Sequence, residues 1–157
     1  MFSRTTEYAL RAMALLAYAP DQLTPTPDLA ERTKVPPNYL AKVLQQLASA
    51  GLIVGRRGVG GGYRLTKRAA DINLMEIVRA VGELERIKEC PLGLPNHGPN
   101  LCPLHRKMDE AAARVIDLFK DTMLSDLVAA PGANKPLCDD VTTAKLSISS
   151  RGTTIVP

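Results

Sequence analysis

Hydrophobic residues recur with a helical period along the first third of the chain. Residues 3–19 form one such segment, which Ser3 can cap. A short second helix is predicted at Thr26-Pro27-Asp28, with Thr26 as its cap, Pro27 at the first helical position and an acid in the first turn. A third helix is predicted after Pro36. Its apolar positions fall at i, i+3, i+4 and i+7 and predict one buried stripe, made of Leu40, Val43, Leu44 and Leu47.

The pattern changes after Gly51, which is placed just beyond the end of the third helix. Residues 52–57 predict one strand and residues 63–66 a returning strand, while the Gly-rich run 58–62 predicts the turn between them. Helix, short helix, helix and hairpin is the order of elements in a winged helix-turn-helix domain, which we expect over residues 1–82.

The second half of the chain is predicted to be helical and then irregular. Asn73 and Glu76 have the spacing of a capping box that begins a fourth helix. A long helical pattern at 105–128 predicts one helix over residues 105–130, which we interpret as a homodimerisation helix because a long helix beside a small domain needs a partner. Residues 131–157 lack periodicity and predict a flexible tail. The expected fold class is mostly α with a small β wing.

Positive charge is concentrated in the predicted hairpin. The 157-residue chain has 20 basic and 16 acidic side chains, a net charge of +4. Residues 56–68 include five of the basic side chains and no acid, a composition typical of surfaces that meet phosphates. The polar face of the third helix also lacks acids. Together these features favour double-stranded operator DNA as a partner, with the helix in the major groove and the hairpin on the backbone.

The candidate DNA-binding residues belong to these two elements. On the third helix they are Asn38, Tyr39, Lys42, Gln45 and Gln46, and on the hairpin they are Arg56, Arg57, Gly60, Gly61 and Arg64. Consecutive glycines would let the tip approach DNA closely. A nucleotide-binding loop fits less well, because Tyr63 stands where Gly-x-Gly-x-x-Gly requires glycine. The simplest alternative for the charges is a solvated surface.

Four soft metal ligands occur in one short segment rich in Pro, Gly and Asn: Cys90, His97, Cys102 and His105. They include both histidines of the chain and two of its three cysteines. Thiolate and imidazole donors suit zinc or iron–sulfur clusters, which predicts a Cys/His sensor loop over residues 83–104. One alternative is a loop with a small buried cysteine and solvated histidines. Another is an enzyme with Cys90 or Cys102 as nucleophile and His105 as base, but no orienting acid is evident, and we expect no enzyme.

The sequence predicts a cytoplasmic protein without a membrane partner. No apolar run approaches the length of a membrane span, and the N-terminus lacks the order of regions found in a signal peptide. In a reducing compartment, three cysteines favour a metal or redox role over a disulfide framework. Cys138, in the predicted tail, is interpreted as an isolated thiol.

Three stretches of the sequence resemble the Rrf-type family of bacterial regulators. They are Ser-Arg-Thr-Thr-Glu-Tyr-Ala-Leu-Arg-Ala-Met at 3–13, Val-Pro-Pro-Asn-Tyr-Leu from 35 with its continuation to Gly51 and Leu52, and Arg-Gly-Val-Gly-Gly-Gly-Tyr at 57–63. The family includes the iron–sulfur cluster regulator IscR, the nitric-oxide sensor NsrR and the cysteine regulator CymR. The resemblance covers roughly residues 1–130 and implies a homodimeric winged-helix transcription factor with a Cys-rich loop before its dimerisation helix.

The resemblance also implies which residues hold a cofactor. Cys90 matches the first of the three cysteines of cluster-binding members, Cys102 matches the third, and His105 matches a histidine that follows it. The middle cysteine is absent, and His97 is the donor near its place. Glu7 is comparable to a carboxylate that the other subunit contributes in some members, although an acid is also common in a first helical turn. A [2Fe–2S] cluster that controls operator binding is implied, with zinc or a reversible disulfide between the two cysteines as alternatives.

Overall fold

The computed structural model describes residues 2–93, 100–129 and 136–137. Its helices and strands are α1 (Arg4–Tyr18), α2 (Thr26–Thr33), α3 (Pro37–Ser49), β1 (Ile53–Arg56), β2 (Gly62–Leu65), α4 (Leu74–Val81), α5 (Pro103–Asp121) and α6 (Leu124–Ala129), with one 3-10 turn at Ala69–Asp71. The expected fold class, mostly α with a small β wing, is confirmed. None of the described helices is long and apolar enough to cross a membrane.

Helix α1 lies at the centre of the fold and contacts α2, α3, α4 and α6. It begins as predicted, because the Ser3 side chain accepts a hydrogen bond of 3.1 Å from the backbone N–H of Thr6. Its inward face is fully buried at Met13 and Leu16. The core around it includes fully buried side chains of α2, α3, α4 and α6, and Phe119 of α5 packs against it; the fully buried residues include Leu29, Leu40, Leu47, Ile77 and Leu124.

The pair α2 and α3 forms a helix-turn-helix, with one change from the prediction. All four residues of the predicted stripe on α3 are buried. Helix α2 begins at Thr26, so Pro25 is its N-cap and the expected capping role of Thr26 is wrong. The reason is that the preceding residue, Thr24, is held in an extended bridge with Tyr63, which leaves Pro25 as the last non-helical position.

Strands β1 and β2 form the predicted hairpin, and we call residues 53–65 the wing. The antiparallel register pairs Ile53 with Leu65 at the base and Arg56 with Gly62 near the tip. Thr24 adds to β2, since its backbone exchanges two hydrogen bonds of 2.9 Å with Tyr63. A Cβ at Gly62 would lie 2.4 Å from the carbonyl oxygen of Thr24, so this close approach requires glycine. The bridge fixes the wing beside the N-terminus of α2.

Helix α4 begins with the predicted capping box. The Asn73 side chain accepts from the N–H of Glu76 at 2.9 Å, and the Glu76 carboxylate accepts from the N–H of Asn73 at 3.1 Å. Two orphan donors at the helix start are thereby satisfied. The helix buries Ile77 and Val81 against the main core.

The prediction of one continuous helix over residues 105–130 is wrong, because α5 and α6 are separate helices. Between them, Met123 forms an antiparallel bridge with Asn73. Two hydrogen bonds flank this bridge, from the N–H of Leu74 to the oxygen of Thr122 (3.0 Å) and from the N–H of Leu124 to the oxygen of Ile72 (2.8 Å). These bonds to a distant segment replace helical ones, and hydrophobic periodicity carries no sign of them.

Two residues of the predicted flexible tail belong to the described part. The Tyr18 hydroxyl donates to the carbonyl oxygen of Pro136 at 2.8 Å, and Leu137 packs against the core. At these two residues the tail is therefore not free. The remainder of 131–157, including Cys138, lies outside the described residues.

Candidate nucleic-acid interface and Cys/His cluster

Helix α3 presents a polar face to solvent, as the sequence predicts. Asn38, Tyr39, Lys42 and Gln45 are exposed, with Tyr39 64% accessible. Gln46 differs, because it is half-buried and its side-chain oxygen is enclosed without a hydrogen-bond partner among the described residues. Four of the five predicted residues can therefore reach a ligand without rearrangement, and Gln46 is the least accessible.

The wing presents exposed arginines beside α3. Arg56, Arg57 and Arg64 are all exposed. The Arg56 guanidinium donates to the carbonyl oxygen of Gly60 at 3.0 Å and so closes the turn at the tip. A Cβ at Gly61 would lie 2.2 Å from the carbonyl oxygen of Arg56, which explains why a small residue is needed there.

An open cleft of about 560 Å³ separates the wing from the N-terminus of α2. Thr26, Arg56 and Arg57 line it together with Ala48 of α3. The N-terminus of a helix and two guanidiniums are groups that bind phosphate oxygens. The sequence marks this helix start but not its place at the interface, since that place depends on the bridge between Thr24 and Tyr63.

Glu7, a predicted metal ligand, lies on the first turn of α1. Its carboxylate pairs with Arg11, which also donates to the backbone oxygen of Thr33 at 3.3 Å. Arg11 lies 5.9 Å from the centre of the Tyr8 ring, and Tyr8 packs edge-on against Tyr39 of α3 at 6.4 Å. Among the described residues, the side chain that pairs with the Glu7 carboxylate is an arginine rather than a cysteine or histidine.

The two loop cysteines meet one histidine at the start of α5. Cys102 is the N-cap of this helix and His105 lies in its first turn, with the Cys102 sulfur 3.4 Å from His105 Nδ1. The sulfur of Cys90 lies 4.0 Å from the same nitrogen. Sulfur and nitrogen ligands of one tetrahedral zinc lie about 3.5 Å apart, a value that follows from metal–ligand bonds of about 2.3 and 2.0 Å. The distance from Cys102 to His105 is close to this value, and the distance from Cys90 to His105 is longer.

The donor set is not complete within the described residues. His97 falls in 94–99, outside the described part of the chain. Among the residues that are described, no group of three or more cysteine, histidine or acidic side chains is arranged to hold a metal ion. The three donors Cys90, Cys102 and His105 fit zinc or an iron–sulfur cluster in chemistry, and a full site needs ligands from elsewhere.

An ion pair beside this cluster has no counterpart in the sequence predictions. Arg86 donates to both carboxylate oxygens of Asp109, at 2.6 and 2.5 Å, and the N–H of Ile87 donates to the same carboxylate at 2.9 Å. Hydrogen bonding from Arg86 holds the pKa of Asp109 below its usual value, and the Ile87 N–H acts in the same direction. The partners are 23 residues apart, so no local pattern could have paired them.

The fold and the exposed surface define a winged helix-turn-helix protein, and comparison with known proteins identifies the family. The model of the Rrf2 family, described as an iron-dependent transcriptional regulator, matches residues 2–130. The chain therefore belongs to the Rrf2 family of DNA-binding transcriptional regulators.

Individual relatives agree with this assignment. The chain is 32% identical over 123 residues to the HTH-type transcriptional regulator IscR of Vibrio atlanticus, covering 77% of this chain and 70% of that protein. It is 30% identical over 127 residues to NsrR of Bacillus licheniformis, covering 78% and 88%. Among solved structures, the oxidized form of Staphylococcus aureus CymR superposes with a TM-score of 0.66 at 26% identity, covering 84% of this chain and 98% of that one.

Proposed function

We propose that this protein is a homodimeric regulator whose binding to operator DNA is controlled by an iron–sulfur cluster, of the [2Fe–2S] type, at the Cys/His loop. The observation that carries the proposal is the meeting of Cys90 and Cys102 at His105, on the first turn of α5. The family description as iron-dependent supports iron over other metals. The protein would act in the cytoplasm and would not be an enzyme.

DNA recognition is assigned to two surfaces. The exposed side chains of α3 would enter the major groove, where Gln, Asn and Lys can bond to base edges. Arg57 and Arg64 of the wing would bind phosphates, and the cleft between wing and α2 offers a further phosphate position. In this arrangement residues 1–82 hold the DNA and residues 83–104 hold the cofactor.

Homodimerisation is assigned to α5. Its outer face carries apolar residues at alternating spacings of four and three: Leu104, Met108, Ala111, Val115 and Leu118. Three of them are exposed large hydrophobic side chains, at 65%, 51% and 62% for Leu104, Met108 and Leu118. Alternating spacings of four and three are the pattern by which two helices pack along a shared seam. A second copy of the chain presents the matching face.

The cluster would be held by Cys90, Cys102 and His105, with His97 and the Glu7 carboxylate of the second subunit as the candidates that complete it. When bound, the cluster supplies a redox-active centre whose potential depends on the histidine ligand. By holding the cluster, Cys90, Cys102 and His105 would keep the loop ordered against α5. Loss of that order would shift α5 and thereby alter the spacing of the two α3 helices, which a dimeric helix-turn-helix reads as half-site spacing.

A second candidate uses the same residues without iron. Two thiols near one imidazole can also bind structural zinc or form a reversible disulfide. The solved oxidized form of S. aureus CymR, at 26% identity, favours the thiol switch as this alternative. Both versions keep the DNA-binding assignment and differ in the signal.

Anaerobic purification separates these candidates. We expect visible absorption bands, with iron and sulfide in matched amounts and no zinc, in the same sample. Cys90→Ser and Cys102→Ser should each abolish the colour, whereas Cys138→Ser, which removes the thiol interpreted as isolated, should retain it. Zinc without colour would replace the cluster by a structural site or thiol switch, and the absence of both metals would leave the thiol switch alone.

A further inference from the structure

We propose that Asp109 is a positioning residue that holds Cys90 beside His105. Its carboxylate accepts hydrogen bonds from Arg86 and Ile87, which lie in the segment before Cys90. The inference rests on the proposed function for what the site binds. The positioning of Cys90 by Asp109 is expected in the metal-free protein as well.

These hydrogen bonds hold both the side chain of Arg86 and the backbone at Ile87. Arg86 makes a two-pronged contact with the Asp109 carboxylate, which sets direction as well as distance. The N–H of Ile87 adds a backbone hydrogen bond to the same group. The Asp109 side chain is only 13% exposed, so this carboxylate is enclosed by the segment that it holds.

Asp109 and His105 are separated by four positions on α5, and Ile87 and Cys90 by three positions in the loop. Residues four apart on a helix lie on the same face, one turn from each other. The contact between Asp109 and Ile87 and the approach of Cys90 to His105 therefore form two adjacent links between the loop and one face of α5. Breaking the first link loosens the second.

Cys102 provides an internal comparison. It is the N-cap of α5, and its distance from His105 is set by the helix to which both belong. The hydrogen bonds from Arg86 and Ile87 to Asp109 do not determine the distance between Cys102 and His105. A change at Asp109 should therefore affect the two thiols differently, whereas general unfolding would affect both.

The test measures alkylation of each thiol by iodoacetamide in the reduced, metal-free, full-length protein, with peptides quantified by mass spectrometry. In Asp109→Ala we expect the rate at Cys90 to rise several-fold while the rate at Cys102 stays within about twofold, because local opening exposes only the loosened segment. Glu110→Ala is the matched control, since this neighbouring carboxylate pairs with Lys107 instead. Arg86→Gln removes the two hydrogen bonds from the guanidinium to Asp109 but keeps the one from the Ile87 N–H. It should therefore raise the Cys90 alkylation rate in part.

Cobalt binding adds a second readout, followed by thiolate-to-cobalt absorption with Co²⁺ alone as the probe. Loss of a group that orients a ligand weakens metal affinity by about 10- to 100-fold, which we expect for Asp109→Ala and not for Glu110→Ala. If Cys90 is alkylated at the same rate in wild type, Asp109→Ala and Glu110→Ala, Asp109 does not position this cysteine. Wild-type protein that binds no cobalt would count against the metal site alone, because alkylation still decides whether Asp109 positions Cys90.

Discussion

Adjacent arginines of the wing have different surroundings. Arg56 donates to the carbonyl oxygen of Gly60 and therefore supports the turn in the absence of DNA. The Arg57 side chain is exposed and makes no hydrogen bond or ion pair with any other described residue. An exposed arginine without an internal partner can bind a phosphate at little cost to the fold. The sequence predicts both arginines as DNA-binding residues, and only the contact of Arg56 with Gly60 distinguishes them.

Charge reversal at Arg57 tests the wing assignment. Arg57→Glu should weaken binding to operator and to random duplex together, and the slope of log affinity against log salt should fall by about 1 for each wing. Fluorescence anisotropy at several salt concentrations measures both quantities. Lys107→Glu is the control, because it makes the same change of charge on α5, outside the basic patch. Undiminished affinity in Arg57→Glu would remove the wing from the interface.

Helices α1, α3 and α4 could be predicted from sequence because their signals are local. A capping serine, a four-residue apolar stripe and a capping box each lie within one element. The break between α5 and α6 could not be predicted, since it depends on the bridge from Met123 to Asn73, fifty positions earlier. Local periodicity favoured a continuous helix, and a tertiary contact overrode it.

The candidate site divides in the same way. The meeting of Cys90 and Cys102 at His105 was predictable, because all three lie in one short run that few other interpretations explain. The ion pair between Arg86 and Asp109 could not be predicted, because charged residues are common on helices and nothing in the spacing of these two indicates that they pair. Donor chemistry can be read from the sequence, whereas the contacts that orient the donors require the fold.

The exposed apolar face of α5 predicts the oligomeric state of the protein. Leu118→Glu places a charge in the proposed seam and should convert the dimer to a monomer, because a charge there cannot be buried without a partner. Lys120→Glu, an exposed position on the opposite side of the same helix, should leave the dimer intact. Light scattering coupled to size-exclusion chromatography gives the mass of each. A wild-type monomer, or a dimeric Leu118→Glu protein, would contradict the assignment of this face.

At the scale of the whole molecule, α5 connects the Cys/His cluster to the DNA-binding domain. Its first turns carry His105 and Asp109, which contact the loop that follows α4. Its last residue precedes the bridge between Met123 and Asn73 at the start of α4. In the proposed function, a displacement at the Cys/His loop would pass along α5 to the segment that joins the wing to α4.

DNA affinity with and without the cofactor shows directly whether the state of the Cys/His loop controls operator binding. One anaerobic preparation is measured against a duplex selected from a random pool, before and after removal of the metal. We expect the two affinities to differ by about 5- to 150-fold, the usual range of coupling between sites. Cys102→Ser should bind like the metal-free form and should not respond to the treatment. Equal affinities after verified loss of metal would contradict control by the loop, and no binding in either state would contradict the DNA interface itself.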